Sequence, residues 1–399
     1  MTERLYYHDP TALEFEGRIT ATGQQDKVWY TILDRSAFYP TSGGQLHDVG
    51  LLNGHRVIDV TEEPDEKTPA VKHITADRVG NVGQTVTGVV DADRRQDNRQ
   101  KHTAQHIVSH VFSSLARLAT VSVHLGIDYG AVELETGRVE EPSLERAERR
   151  ANEIITECHL VDILFATRDE VARMPLRRRP PDREKLRIVR IGSLDWSACG
   201  GTHCSNTGEV GVIKLIGVDT MRGHALIKFL AGRQALEDYG RRWRISTDLA
   251  TSLTCSVDDL PDRIAGLARE TEEYRHQLRQ AEKELLTTRA ERSAAASRDI
   301  AGVPAAVVVD RHLDPKKATQ LARYIADRNR GVAVVLVGDR ISVAASEGGR
   351  ASAGRLVRRL CELAGGRGGG NDVQAQAGNV AIESEESLQR LLMKVLNEA

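Results

Sequence analysis

The chain has 399 residues, which at about 150 residues per domain predicts two to three domains rather than one compact module. Its 55 Lys+Arg against 57 Asp+Glu leave a net charge of −2, which excludes a uniformly basic nucleic-acid coat or a polyacidic tail, so any charged partner must meet a local patch. Aromatics at 4% exclude binding of single strands by rows of Phe and Tyr, and five sparse cysteines exclude a secreted disulfide framework.

Residues 1–92 read as short alternating segments, such as Lys27 to Leu33, broken by Gly, Asp and Pro turns, and predict a β-rich, barrel-like module. The opening stretch to Pro10 lacks an apolar h-region, and the longest apolar run, Val332 to Val337, is too short to span a bilayer. A cytoplasmic chain with no membrane partner is expected. Within this module the loop from Phe38 to Gly50 brings a hydroxyl (Thr41), an amide (Gln45) and a carboxylate (Asp48) close in sequence.

Residues 93–240 predict an α+β domain. Ile107, Val108, Val111, Phe112 and Leu115 at helical spacing give a helix over 103–118, a second helix is expected over 143–158, and strand-like runs follow at 186–191, 210–218 and 225–230. Residues 241–300 predict a helical arm. Leu260, Ile264, Leu267, Thr271, Tyr274, Leu278, Ala281 and Leu285 alternate spacings of four and three, as the a and d positions of a coiled coil do. Residues 301–399 order their elements as a small α/β domain, in which Gly365 to Gly370 forms either a cradle for phosphate or a flexible loop. The fold class is therefore α+β.

His102 and His106 lie four residues apart at the start of the first helix, on one face and able to share a metal ion. Cys199-Gly-Gly-Thr-His203 adds a thiolate and an imidazole flanking two glycines that permit a sharp fold. Two such pairs suit zinc better than magnesium or calcium, which prefer oxygen shells. Four protein ligands describe a closed structural site, whereas catalysis needs an open position, and the residues alone leave that choice open. Thr103, Ala104 and Gln105 between the histidines supply no zincin glutamate, which disfavours peptide hydrolysis.

The 38–50 loop, the His102–His106 segment and Cys199 to Gly211 resemble the editing domain of alanyl-tRNA synthetases, and the glycine-rich segment with Asn371 to Gly378 is similar to their C-terminal DHH-associated domain. Leu5 to Pro10 and Leu176 to Pro181 resemble the long form of the free-standing AlaX-type editing proteins, so the likeness covers nearly the whole chain. It implies a zinc-dependent hydrolase that removes serine, and glycine as a second substrate, from mischarged alanine tRNA, with His102, His106, Cys199 and His203 as ligands. It further implies that Thr41 reads the serine hydroxyl and Gln45 positions the ester. One departure is Ser42, where the synthetases carry a third glycine, which predicts a less permissive backbone. No ATP-activating module precedes the match and no phosphate loop is visible, so hydrolysis rather than charging is expected.

The substrate requires a phosphate-binding surface. Arg173 to Arg190 carries eight basic residues against two acidic ones, with Arg173, Arg177, Arg178 and Arg179 as the expected tRNA contacts. The arm and the C-terminal domain could join two protomers. One rival is a tRNA-binding or assembly protein whose zinc only holds the fold. A second is a threonyl-type editing domain, and a third, a phosphoesterase, lacks its Asp-His-His motif.

Overall fold

The computed structural model describes residues 2–63 and 70–398, which form two compact units, Met1–Asp248 and Leu249–Ala399. Both mix helices and sheets, giving an α+β protein. In the first unit the strands Glu14–Gln25, Val28–Leu33, Ala70–Thr75, His55–Glu63, Gly50–Leu52 and Thr85–Val90 pair in that order into a closed ring. Alternation places Val86 and Val90 inside, and an irregularity between Val57 and Asp59 turns both Val57 and Val60 inward, with Phe15, Leu33 and Phe38.

The helix that follows runs from Ala92 to Ala116, eleven residues longer at its start than the apolar spacing predicts. Asp91 caps it by accepting the Arg94 N–H. The extra turns escape a periodicity reading because their buried residues are polar: Arg95, Asn98, Arg99 and Lys101. Arg95 is the extreme case. Its Nε lies 3.1 Å from Asp48 Oδ2, its Nη1 donates to Pro10 O at 2.9 Å, and its Nη2 donates to Asp48 and to Ala37 O. Asp48 also accepts the Tyr39 N–H at 2.7 Å. The carboxylate grouped with Thr41 and Gln45 by sequence thus fastens the loop to the helix.

The helix packs on an antiparallel sheet of Ile213–Met221, His224–Ala231, Gly130–Leu134 and Thr120–Leu125, and on helix Glu141–Thr156. A smaller antiparallel sheet, Val161–Thr167, Lys185–Ile191 and Asp195–Ala198, flanks the same core.

In the second unit six strands order as Arg298–Ile300, Val303–Val309, Val332–Val337, Arg340–Ala345, Gln374–Gly378 and Arg367–Gly370. The neighbours Val303–Val309 and Val332–Val337 run parallel. Val332, Val334 and Leu336 pack with helices Ala353–Ala364 and Glu385–Asn397. Ala333 and Val335 face the other way, toward helix Pro315–Asn329 and Leu286. From Arg367 the glycine-rich segment is not a loose loop. It is an edge strand, and a Cβ at Gly368 or Gly370 would fall 2.1–2.2 Å from backbone oxygens of the paired strand.

The stretch expected as the arm holds two helices, the end of Gly232–Leu253 and all of Leu260–Ala295, and the last turns of the second join the α/β core through Leu286 and Ala290. These positions lie off the heptad seam. Ile264, Tyr274, Leu278 and Leu285 of that seam are exposed, because the core captures the neighbouring face instead. Among the described residues no helix is long and apolar enough to cross a membrane.

Candidate metal centre and its cleft

The three-stranded sheet explains one half of the site. Asp195, Ser197 and Cys199 alternate along one strand, so all three side chains point to one face. Cys199, one residue past the strand end, still donates its N–H to Arg187 O at 3.1 Å. The chain then turns at Gly200-Gly201 and returns His203 to the same face. Gly201 is required there, since a Cβ would stand 2.1 Å from His102 Cε1.

The helix supplies His102 and His106 one turn apart, and the ligand atoms of His102, His106, Cys199 and His203 lie within 4.8 Å of one another. Cys199 Sγ is 3.3 Å from both His102 Nε2 and His203 Nε2. Each ring is anchored through its other nitrogen. His102 Nδ1–H donates to Gln45 Oε1 at 2.8 Å, His106 Nδ1–H to Asp195 Oδ2 at 2.9 Å, and His203 Nδ1 lies 3.3 Å from Thr103 Oγ1. Because the amide oxygen and the carboxylate only accept, His102 and His106 both carry a proton on Nδ1 and turn Nε2 toward the thiolate. Three imidazoles so anchored around one thiolate form a donor set that fits zinc.

The electrostatics agree. Burial alone pushes the Cys199 thiol up, but the facing imidazoles of His102 and His203 outweigh it and hold the thiol well below its ordinary range. Burial and the neighbouring His102 push His203 down to about 3, favouring the neutral ring a metal needs. His106 runs the other way: it is buried too, but the Asp195 carboxylate and the Cys199 thiolate raise it to about 9, so its ring holds a second proton that a bound metal would displace. Cys204 stands apart: buried beside Thr103, its thiol is pushed up to about 12.

Gln45 reaches His102 from a tight turn. Ser42 and Gln45 exchange backbone hydrogen bonds around Gly43 and Gly44, whose φ values of +56° and +85° define a two-residue turn of the mirror-image type. Ser42 itself is not left-handed, so its departure from glycine introduces no strain. The Gln45 amide is engaged through both its oxygen and its nitrogen. Its Oε1 also accepts the Thr202 N–H at 3.1 Å, and its Nε2 donates to Thr202 Oγ1 at 3.0 Å.

A cavity of about 230 Å3 opens beside the cluster, lined by Gly43, His102, Gln105, His106, Thr120, Cys199 and the Arg177 to Pro181 segment, among others. Thr41 is not among the lining residues. It is exposed, and its hydroxyl accepts the His47 N–H at 3.1 Å and sits 3.0 Å from His47 Nδ1. Thr120 is the residue sequence reasoning missed. It lines the cavity at 7% exposure, and its hydroxyl has no hydrogen-bond partner among the described residues.

The basic run divides. Arg173, Arg178 and Arg179 are exposed, the last two on the cavity wall. Arg177 turns inward, donating from Nε to Asp195 Oδ1 at 2.6 Å and from Nη2 to Ser197 Oγ. Arg187 is buried and holds Cys199 O at 2.7 Å, and Arg190 pairs with Asp162.

Comparison with known proteins agrees with this arrangement. Residues 186–225, which include Cys199 and His203, match the threonyl and alanyl tRNA synthetase second additional domain. Over 404 residues the chain is 28% identical to the alanyl-tRNA editing protein AlaX-L of Pyrococcus horikoshii, covering 99% of this chain and 98% of that protein. Its likeness to the AlaX-type editing proteins therefore runs the length of both chains. It is also 29% identical to the alanine–tRNA ligase of Archaeoglobus fulgidus, matching all of this chain but only 44% of the ligase, so it spans less than half of the ligases it resembles. The C-Ala domain of Aquifex aeolicus alanyl-tRNA synthetase aligns with 25% of the chain at 20% identity and a TM-score of 0.23.

Proposed function

We infer that the protein is an editing hydrolase that cleaves the aminoacyl ester of mischarged alanine tRNA, with serine as the preferred acyl group and glycine as a second. The observation that carries this reading is the cavity: His102, His106 and Cys199 face an open cleft rather than a sealed core. When bound, zinc supplies Lewis-acid polarisation of a carbonyl and acidification of water. The chain's own residues do the positioning. Gln45, Asp195 and Thr103 fix the imidazoles so that three nitrogens and one sulfur converge, and Gly43 lets the turn approach the cleft without a side chain.

Serine is selected by its hydroxyl. A site built to hydrogen-bond a substrate hydroxyl rejects the analogue lacking it by several orders of magnitude, up to about 10⁵, which separates serine from alanine. We assign side-chain recognition to Thr41, whose exposed hydroxyl accepts one N–H from His47 and keeps a second lone pair for a substrate hydroxyl. Gln45 acts through His102. Arg173, Arg178 and Arg179 meet the tRNA backbone, while Arg177 supports Asp195.

The test is ester hydrolysis by zinc-loaded protein on seryl-, glycyl- and alanyl-tRNA specific for alanine, with His102→Ala, Thr41→Val and Thr120→Val alongside. We expect loss of all cleavage in the first variant, a fall of about 10- to 100-fold for serine alone in Thr41→Val, and no change in selectivity in Thr120→Val. A second reading rests on the four protein donors, which can close a tetrahedral shell. Under it the zinc is structural, tRNA binds, and no ester is cleaved.

A further inference from the structure

His8 and Phe165 stack on each other at the surface, with ring centroids 4.9 Å apart and planes 29° from parallel. Phe165 is 50% exposed although it lies on a strand of the sheet that carries the metal ligand. Nothing in the core requires this arrangement. The register places Phe165 opposite Arg187, and Arg187 opposite Cys199. Residues on one ladder share a face, so Phe165 and Cys199 look out from the same side of the sheet, two strand spacings or about 10 Å apart.

The space between them is occupied in an ordered way. Tyr7 lies under the Arg187 guanidinium, 5.3 Å from ring centroid to Cζ, and its carbonyl accepts the Arg187 Nε–H at 3.1 Å. A Cβ on Gly200 would stand 3.3 Å from the Tyr7 hydroxyl, so the N-terminal segment reaches the turn after Cys199. The row therefore reads Cys199, Arg187 with Tyr7, then Phe165 with His8. Its middle member is a buried cation whose Nη2 has no partner among the described residues.

We propose that His8 and Phe165 form a stacking platform for the base of the nucleoside that carries the ester, the single-stranded 3′ end of the tRNA. This rests on the editing reading. An ester held at the metal centre is joined to its base through one ribose, which sets the base within one nucleotide of Cys199. A π surface about 10 Å along the same sheet face is available to receive it, and the Arg187 charge beneath the row favours the sugar-phosphate crossing above. Aromatic stacking tolerates any base and contributes about 1–3 kcal/mol per base. The low aromatic content excludes a row of such platforms but not one pair.

The test uses full-length, zinc-loaded protein and alanine tRNA whose terminal adenine is replaced by 2-aminopurine, a base whose fluorescence is quenched on stacking. Wild type quenches it. Phe165→Leu removes the quenching and raises KM for the seryl ester about 10-fold with kcat within about twofold, while Phe165→Tyr restores both. Melting temperature and zinc content of Phe165→Leu match wild type, as expected for a half-exposed side chain. Quenching that persists in Phe165→Leu, or a fall in kcat at unchanged KM, overturns the platform. Quenching without any ester hydrolysis keeps the platform and removes the hydrolase reading instead.

Discussion

Replacing Asp48 by Asn tests the account of how the turn bearing Gln45 is held against the helix bearing His102. The Asp48 and Arg95 side chains are 0% and 2% exposed, and three Arg95–Asp48 contacts are accompanied by guanidinium bonds to three backbone carbonyls. Asn keeps the shape but leaves a buried guanidinium facing only dipoles. Breaking a buried pair from one side costs about 3–5 kcal/mol. For a unit of this size about 2–4 °C accompany each kcal/mol, which places the drop in melting temperature at roughly 6–20 °C. Thermal unfolding at neutral pH measures it, and the Asp48→Leu, Arg95→Met double variant should recover most of the loss, because neither charge then remains. A drop equivalent to less than about 1 kcal/mol, or single losses that simply add in the double variant, would refute the clamp.

Asp195→Asn removes the charge that anchors His106, and zinc affinity should fall about 10- to 100-fold in chelator competition, with unchanged affinity contradicting the anchoring role. His73 gives a pH dependence remote from the metal centre. Its Nδ1–H donates to Thr31 O and its Nε2 accepts from Ser36 Oγ, leaving no room for a charged ring, and burial pushes it down to about 4. The folded state therefore binds fewer protons than the unfolded one. This contribution is fully present above about pH 6.5 and is lost as pH falls toward 4, about 1.4 kcal/mol per unit. Urea midpoints of wild type and His73→Gln should diverge above that window and converge within it, and parallel curves would count against the assignment.

The clustering of His102, His106, Cys199 and His203 was legible because metal-donor chemistry restricts residue type and a shared ion would restrict spacing. Their supports were less so. Asp195 meets His106 across 89 positions, and only the alternation of Asp195, Ser197 and Cys199 along a strand signals that they share a face. Thr120 carries no sequence signal, since the absence of a hydroxyl's partner exists only in the fold. The basic run was legible as charge but not as direction: Arg177 and Arg187 turn inward where Arg178 and Arg179 do not. The heptad spacing on the arm describes a face that the chain leaves exposed, and the glycines near 368 mark close strand contact rather than freedom.

The helix Ala92–Ala116 carries one further implication, for how the molecule comes together. Its polar interior reaches in several directions, Arg95 to the ring of strands, Lys101 to Gly126 O, and Arg99 to His203 O and Glu209, more than 100 positions later. Such a helix is poorly satisfied until those distant partners arrive. Contacts so separated along the chain form slowly, so the cluster of His102, His106, Cys199 and His203 is expected to assemble late, in the same cooperative step that completes the first unit. Cutting the chain between the ring of strands and this helix would therefore yield two incomplete pieces, not two smaller proteins.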